Sequence, residues 1–397
     1  MYLAHARCWC FGLMFFSPLS MVWAQEGTTL TLKLSTTLQS ESNLLRLPAS
    51  ALATTNSAEN VAVTTVGMRL NFSQSLQKFE LSANLTDYKY QNFKQLSLTA
   101  NSVAARWRWS VTPRINGNLA AERKQTVNSF DDLPNFNQPN ERTDASTRLD
   151  TVVELAGPWR LLAGTERTSQ TNQQVLVGSS DYSSHSANLG LRLDYGTGST
   201  LTYGVKTQNG SYLNRLPNAA NLFDDGFRQI DQELRLHWVA TGKTNANFNL
   251  SFMERSHPNY AQRDFTGFNA GVDANWAFSG KSSLNTGYSH MLASFQTNYA
   301  SFSRTHTFWL APVWQISPKT VLSLRHARAQ IEFLGDPSGS PSPARSDATQ
   351  DTALSFNWQP TTQLTLGAAW QKVVRSSSLI GLDYQSTLAT LSAQYSY

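Results

Sequence analysis

The sequence has little cysteine, little charge and no long apolar run after its first residues, and each absence excludes a class of protein. Only 2 of its 397 residues are cysteine, and only 15% are charged. Beyond residue 24 there is no run of about 18 apolar residues, which excludes a bundle of transmembrane helices. Aromatic residues make up 11% of the chain, a content that argues against disorder. The class that remains is an all-β protein, either soluble or membrane-spanning.

The first 24 residues are typical of a secretory signal peptide. A short apolar stretch at 8–16 is followed by Val22-Trp23-Ala24, which offers small residues at positions −3 and −1 of a cleavage site. We therefore expect a signal peptide at 1–24, cleaved near Ala24, and a single domain at 25–397. Cys8 and Cys10 leave with the peptide, so the mature chain is expected to have no disulfide, thiol nucleophile or cysteine-ligated zinc.

The charges and histidines give no support for nucleic-acid binding or catalysis. The formal net charge is +5 and falls to +4 when Arg7 is removed, which is too low for a basic patch. The seven histidines form no metal-binding pair, and no nucleophile elbow or P-loop occurs. We expect no nucleic-acid partner, no enzymatic activity, no cofactor and no metal. Two loop alternatives stay open: calcium at Asp131-Asp132 or Asp224-Asp225, and a hydrolytic pair of Asp225 with His257.

From Thr29 onward, segments of roughly 10–14 residues alternate apolar and polar side chains. Leu30, Leu32 and Leu34 share one face of the first segment, and Leu391 and Tyr395 share one face of the last. A period of two with one apolar face predicts β-strands. About 10 residues tilted near 45° span a bilayer, whereas strands of soluble proteins average about five or six. The strand length therefore favours a membrane barrel over a soluble sandwich.

Short turns alternate with mostly longer polar loops, as in outer-membrane barrels with short periplasmic turns and long extracellular loops. We predict an all-β fold in the outer membrane: a transmembrane antiparallel β-barrel of about 18 strands with both chain ends in the periplasm. The predicted strands are 29–38, 61–72, 77–90, 95–111, 115–126, 145–156, 159–169, 182–195, 199–208, 227–240, 244–255, 265–278, 282–292, 303–316, 319–332, 349–358, 362–374 and 383–397.

Aromatic residues cluster beside the short turns, among them Trp159, Trp238, Trp276 and Trp314, and Tyr397 ends the chain in phase with Tyr395. Outer-membrane barrels carry such girdles at the membrane interfaces. The alternative is that aromatic residues are simply common in strands.

Inward parity predicts a lumen lined by charges of both signs. A lipid-facing Arg or Lys costs about 2–4 kcal/mol at the midplane, so these side chains should face water or each other. The predicted lumen-lining residues are Lys33, Arg69, Glu80, Glu122, Arg148, Asp150, Glu154, Arg160, Glu166, Arg192, Asp194, Lys206, Asp231, Glu233, Arg235, Asp273, Arg304 and Arg325. Two interpretations stay open: paired charges of neighbouring strands that stiffen the wall, or a weakly cationic conduit suited to glycans. A barrel of 16–18 strands is wide enough for an aqueous channel.

Four segments carry a resemblance to a known family: NLLRLP at 43–48, FELSANLTDYKYQNF at 79–93, WRWSVTPR at 107–114 and AERKQTVNSF at 121–130. The chain resembles the EpsL-like outer-membrane proteins of exosortase-associated exopolysaccharide clusters in Gram-negative bacteria. The similarity is densest over 28–135 and continues more loosely to the end of the chain. It implies a role in exopolysaccharide biosynthesis or export and transfers no catalytic residues.

The main hypothesis is a passive polar conduit that helps a secreted polysaccharide cross the outer membrane. Its expected partners are outer-membrane lipid, the secreted polysaccharide and periplasmic polysaccharide-export proteins. One alternative is a structural or anchoring barrel with an occluded lumen. Another is a general diffusion porin, which is disfavoured at this stage because no long inward-folding constriction loop stands out among the predicted loops.

Overall fold

The computed structural model is a closed antiparallel β-barrel of 18 strands, which confirms the predicted fold. The structure describes residues 27–128, 130–131, 138–139, 141–174, 180–337, 339 and 344–397. The strands are β1 (Thr28–Glu41), β2 (Glu59–Gln74), β3 (Gln77–Tyr90), β4 (Leu98–Thr112), β5 (Ile115–Val127), β6 (Glu141–Glu154), β7 (Trp159–Asn172), β8 (Tyr182–Asp194), β9 (Thr200–Tyr212), β10 (Gly226–Thr241), β11 (Thr244–Ser256), β12 (Phe265–Trp276), β13 (Ser282–Ser294), β14 (Phe302–Ser317), β15 (Thr320–Leu334), β16 (Arg345–Trp358), β17 (Leu364–Ser377) and β18 (Tyr384–Ser396).

Every strand pairs with its neighbours in the chain, and β1 closes the ring by pairing with β18 as well as with β2. Closure leaves no sheet edge, so every strand has a partner on both sides. The remaining regular structure in the described residues is one short helix, α1 (Ala49–Leu52), and two 3₁₀ turns, at Lys94–Leu96 and Ala261–Arg263. In the part of the chain that is described, none of the helices has the length and hydrophobicity needed to cross a bilayer. The predicted signal peptide lies outside the described residues.

The predicted strands and the observed ones correspond one to one, but some boundaries differ. β6 begins at Glu141 and β16 at Arg345, whereas the sequence predicted 145 and 349. Most of the extra residues are polar, and every second one faces the lumen at the mouth of the barrel: Arg142, Asp144, Arg345 and Asp347. Polar residues in that position resemble a loop when only the sequence is read.

The outer face is apolar, as a barrel wall against lipid requires. Leu30, Leu32 and Leu34 alternate along β1 and are each about half exposed. The tryptophans beside the short turns, such as Trp238 and Trp314, are also half exposed on the outer face. An isolated water-soluble domain would not leave so many large apolar side chains on its surface. The aromatic positions agree with the predicted girdle at the short-turn end, which we take as the periplasmic end.

Candidate functional site: the barrel lumen

The strand register decides which side chains point into the barrel, because paired residues share a face and alternate residues do not. Lys33 lies between the outward Leu32 and Leu34 and therefore points inward. Following the pairs around the ring places the predicted residues, apart from Arg304, on the inner face. These are Lys33, Arg69, Glu80, Glu122, Arg148, Asp150, Glu154, Arg160, Glu166, Arg192, Asp194, Lys206, Asp231, Glu233, Arg235, Asp273 and Arg325.

Arg304 is the exception, and its predicted inward position is wrong. It lies in phase with Phe308 and Leu310, which mark the outer face of β14. Its guanidinium contacts Glu332 of the paired strand β15 at 2.6 Å. Arg304 lies near the long-loop end of its strand, beyond Phe308 and Leu310, so a charge on the outer face is tolerated there.

The inner charges form a lattice of mixed sign. Some pairs join residues two apart on one strand: Arg148–Asp150 at 2.6 Å, Arg192–Asp194 at 2.7 Å and Arg235–Glu233 at 2.7 Å. Others cross between strands: Arg160–Glu154 at 2.8 Å, Arg325–Asp351 at 3.1 Å and Lys206–Glu166 at 3.5 Å. Partly exposed pairs of this kind are worth about 0–1 kcal/mol each, so they shape the electrostatics of the lumen more than the stability of the barrel.

A recess of about 500 Å³ opens in the inner wall between β6 and β13. The charged side chains that line it are Arg148, Asp150, Glu166, Lys206, Glu233 and Arg235. Acidic and basic groups are equal in number here. The recess is therefore polar and close to electrically neutral, which suits water and hydrated solutes without selecting strongly for either sign of charge.

A second cavity, of about 390 Å³, lies at the long-loop end of the lumen and has a different character. Its lining contains two arginines, Arg215 and Arg255, and none of its described lining residues is acidic. The other lining residues are Gln170, Ser180, Tyr182, Gln208, Tyr212, Phe227, Ser294, Phe295 and Gln296. Amide, hydroxyl and guanidinium donors of this kind can hydrogen-bond to a carboxylate or to hydroxyl groups.

The two arginines are held by aromatic rings. Arg255 stacks over Phe227, with its guanidinium carbon 3.5 Å from the ring centroid, and donates to Gln229 at 3.2 Å. Arg215 stacks over Tyr212 at 4.0 Å and donates to Gln296. The ring of Phe227 occupies the space that a side chain at residue 210 would need, so the glycine there allows this arrangement. The Nε of Arg255 is buried and has no hydrogen-bond partner among the described residues.

Arg263 connects the extracellular loops on this side of the mouth, and its side chain is fully buried. Arg263 donates to the main-chain oxygens of Ala300 at 2.6 Å, Asn221 at 2.6 Å and Leu222 at 3.2 Å. It therefore joins loop 257–264, on which it lies, to loops 213–225 and 295–301. Burial, followed by the charge of Arg215, lowers the pKa of Arg263, but an arginine stays protonated at physiological pH.

Asp224 and His257 extend this loop cluster. Burial alone would raise the pKa of Asp224, but hydrogen bonds from Asn259 and Asp225 hold it below its ordinary value. Since these donors occupy the carboxylate, Asp224 orders the loop in the described structure, and the calcium alternative gains no support there. The ring of His257 contacts Asp264 at 3.2 Å and Gln296 at 2.8 Å, so its acidic neighbour differs from the predicted Asp225.

The opposite side of the mouth contains a loop that folds inward. Leu44, Leu45 and Leu47 of loop 42–58 are buried against the inward side chains Val61 and Tyr90. No long inward-folding loop stood out from the sequence, yet loop 42–58 packs on the inner wall in the structure. The leucines of the NLLRLP segment are the signal, because apolar residues in an exposed loop need a surface that covers them.

Arg46 fixes the same loop by polar contacts. It donates to Glu41 and to Asp131 at 3.0 Å, and its guanidinium lies 5.3 Å from the ring centroid of Tyr384. Burial alone would lower the pKa of Arg46, but the charge and hydrogen bond of Glu41 raise it above the ordinary value. Asp132, the other member of the predicted acidic pair, lies outside the described residues. Asp131 in the described structure contacts Arg46, and this contact accounts for its position.

Nearby on the inner wall, Asp347 is almost fully buried between Arg345 at 2.6 Å and Arg375 at 2.7 Å. Sequence reasoning named neither this triad nor Arg255 and Arg215. Inward parity along β11 is a signal that finds Arg255, because it lies in phase with Ser251 and Asn249. Arg215 lies in a loop, where alternation gives no information.

Comparisons with known proteins support the fold and leave the family open. No protein-family model matches the sequence, and no curated protein sequence matches it significantly. Among solved structures, the outer membrane protein OpdK of Pseudomonas aeruginosa superposes with a TM-score of 0.54 at 11% identity, covering 93% of this chain and 99% of that one. The resemblance to EpsL-like proteins accordingly stays a prediction.

Two further structures from Pseudomonas aeruginosa contain small molecules. OpdK with vanillate matches with a TM-score of 0.53 at 11% identity, covering 93% of this chain and 99% of that one. OccK2 in complex with glucuronate matches with a TM-score of 0.53 at 12% identity, covering 93% of this chain and 98% of that one. At such low identity the likeness concerns the fold alone. Together with the closed ring and its apolar outer face, it identifies the chain as an outer-membrane β-barrel.

Proposed function

We propose that this barrel is a passive channel that lets small hydrophilic solutes, preferentially organic anions, diffuse across the outer membrane. The observation that carries the proposal is the arginine-lined cavity at the extracellular end, followed by the nearly neutral recess further into the lumen. A carboxylate would meet Arg215 and Arg255 first and then a wall of balanced charge. Binding sites that alternate between moderate attraction and neutrality allow both entry and release.

The inward-folding loop 42–58 supports the same proposal. A loop packed on the inner wall narrows the mouth and brings a passing solute close to polar side chains, as diffusion channels require. The ligands of the two Pseudomonas structures, vanillate and glucuronate, both carry a carboxylate on a ring. A carboxylate on a ring fits two arginines beside Tyr212 and Phe227. Vanillate and glucuronate are therefore suitable test compounds.

The test is conductance of the purified barrel in planar bilayers, with glucuronate as a blocker. We expect a stable open channel, and Arg255→Gln should weaken the block by about tenfold, the low end for a charge-assisted hydrogen bond of about 1.5 kcal/mol. Arg228→Gln is the matched control: it removes the same charge from the outer face of neighbouring β10. A barrel without measurable conductance would contradict the channel and favour the anchoring alternative. Equal block by glucuronate in the wild type, Arg255→Gln and Arg228→Gln would contradict the anion site.

Passage of a secreted polysaccharide is a second candidate, supported by the EpsL-like segments and by one feature of the lumen. The inner faces of β18 and β1 carry hydroxyl and amide groups with little charge, including Thr390, Ser392 and Gln394 opposite Gln39, Thr37 and Ser35. Such groups exchange hydrogen bonds readily with sugars. A deletion strain distinguishes the candidates: periplasmic retention of polymer supports export with its periplasmic partners, whereas normal surface polysaccharide with slower uptake of organic acids supports the diffusion channel.

A further inference from the structure

The outer face of the barrel is interrupted by polar side chains on β15 and β16. Strand β14 presents five outward residues without charge before the first polar one: Ile316, Trp314, Pro312, Leu310 and Phe308, followed by His306. Strand β15 presents only Leu322 and Leu324 before His326. Strands β14 and β15 are paired directly, with Leu310 beside His326 and Phe308 beside Arg328. The apolar part of the outer face is therefore two residue pairs shorter on β15 than on β14.

The polar residues form two rows across neighbouring strands. The lower row consists of His326 on β15, Thr352 on β16 and Lys372 on β17, with His326 Nδ1 at 2.8 Å from Thr352 Oγ1. The upper row contains Arg328 on β15 and Gln350 on β16. Directly below them lie the exposed apolar residues Leu324, Leu354 and Trp370. We call His326, Arg328, Gln350, Thr352 and Lys372 the outer polar wedge.

The wedge reaches into the apolar band. At about 3.4 Å per residue and a tilt near 45°, His326 lies roughly 14 Å above the periplasmic end of β15, and Arg328 roughly 19 Å above it. The apolar band of outer-membrane barrels is about 25 Å tall. Polar groups at this depth are unfavourable in hydrocarbon, so the wedge requires a partner that supplies hydrogen bonds and charge.

The charge of the patch indicates what that partner is. Glu332 is the one carboxylate on the outer face of β13–β17 in the described structure. Arg304 already donates to its Oε2 from Nη2 at 2.6 Å and from Nε at 2.9 Å. Neither Arg328 nor Lys372 has an acidic partner among the described residues. A second copy meeting this face with its own wedge would bring cations together. An anion that carries hydrogen-bonding groups and acyl chains complements the patch, and basic pockets on membrane proteins bind lipid head groups with this chemistry.

We propose that the outer polar wedge binds a phosphorylated glycolipid of the outer leaflet. Arg328 and Lys372 hold a phosphate group, since arginine and lysine both bind phosphate well. Gln350, Thr352 and His326 lie between or beside these two cations and meet sugar hydroxyls next to the phosphate, and the acyl chains pack on Leu324, Leu354 and Trp370 below. The site lies on the opposite surface of the wall from the lumen, so it is independent of what the channel conducts.

The test is native mass spectrometry of the full-length barrel, titrated in detergent with bisphosphorylated lipid A and with its dephosphorylated form. The wild-type protein should retain one phosphorylated glycolipid and bind the dephosphorylated form at least tenfold more weakly. The double variant Arg328→Gln with Lys372→Gln should lose at least tenfold in affinity for the phosphorylated lipid only.

The matched control is Arg123→Gln with Arg167→Gln, which removes two outward cations from β5 and β7. Like Arg328 and Lys372, these residues lie 8 positions beyond the first residue of their strands, so they match the wedge cations in height. They lie on strands far from the wedge, and Arg123 already donates to Asn101 at 2.8 Å, so we expect unchanged affinity. Equal losses in both double variants would show that general surface charge suffices and would overturn the site. Oligomers that disappear in the wedge variant, with no lipid retained, would overturn it in favour of a second copy.

A third variant keeps the proposal testable if the charge variants fold poorly. Gln350→Leu keeps both cations and the strand pairing but removes one hydrogen-bonding group from the wedge. We expect a twofold to fivefold loss of glycolipid affinity with unchanged heat-modifiability on gels. Unchanged affinity for both lipids in this variant would contradict a sugar contact on the wedge.

Discussion

The two sides of the extracellular mouth are ordered by different forces. On one side, loop 42–58 is packed on the inner wall by Leu44, Leu45 and Leu47, so burial of apolar surface holds it. On the other side, Arg263 and Asp224 connect three loops through hydrogen bonds in a fully buried setting. Apolar contacts weaken by degrees as atoms are removed. A buried polar connection fails as a unit, because losing one partner leaves the others unsatisfied.

Arg263→Ala tests the polar side and should have the largest effect. The change leaves the main-chain oxygens of Asn221, Leu222 and Ala300 without their donor, at a cost of about 1–3 kcal/mol for each oxygen that stays buried. Hydrogen exchange measured by mass spectrometry should accelerate in 213–225 and 295–301, and channel current should become noisier. The strands should keep their protection, because the barrel does not depend on these loops.

Arg263→Lys separates charge from geometry in the same experiment. Lysine keeps the positive charge but lacks the planar fork that reaches several carbonyls at once. We expect exchange rates close to those of Arg263→Ala. Wild-type protection in the lysine variant would show that charge alone orders the loops.

Leu45→Ala tests the apolar side and should have a smaller, graded effect. Leu45 is 2% exposed, and truncation of a buried leucine costs about 2–5 kcal/mol. Part of this cost is recovered when the loop shifts to fill the cavity. Loop 42–58 should become sensitive to limited proteolysis, and single-channel conductance should rise as the loop leaves the inner wall. The matched control is Leu216→Ala in loop 213–225, where the leucine is 83% exposed. A similar change in both variants would contradict the packed loop.

The sequence predicts the wall of the barrel far better than its mouth. Alternation with a period of two is a local property, so the strands and the inward position of residues such as Arg192 follow from neighbouring residues. Arg304 shows the limit: near the extracellular end both faces of β14 are polar, and polarity no longer distinguishes them. The contacts of Arg263 join residues 37 to 42 positions apart, and such pairing of loops has no periodic signal.

The apolar loop lies between these extremes. Three leucines within the NLLRLP segment indicate burial, but they do not indicate whether the loop folds into the barrel or packs on its rim. That choice depends on Val61, Tyr90 and Phe130, which the strand register and a second loop bring together. Local pattern therefore predicts that a loop is anchored, and tertiary structure decides where.

Acidification should also distinguish the two sides of the mouth, with a smaller effect than the Arg263 or the Leu45 substitutions. Burial, followed by the charge of Arg255, lowers the pKa of His257 below its ordinary value of 6.5, although Asp264 opposes the shift. The open loops therefore bind a proton more readily than the closed cluster. The stability that neutral His257 contributes is present above pH 6.5 and is lost as the pH falls below it. Asp224, whose pKa is lowered, adds a loss in the same direction as the pH falls through its ordinary value of 3.8.

Hydrogen exchange compared at matched intrinsic rates checks this prediction. Loops 213–225 and 257–264 should lose protection between pH 7 and pH 5, while loop 42–58 should not, because its leucines do not titrate. His257→Gln keeps an amide that can hydrogen-bond to Asp264 and Gln296 but cannot be protonated, so the pH dependence should disappear in that variant. If the dependence persists in His257→Gln, the titrating group lies elsewhere in the cluster, and the contrast between the two sides does not originate at His257.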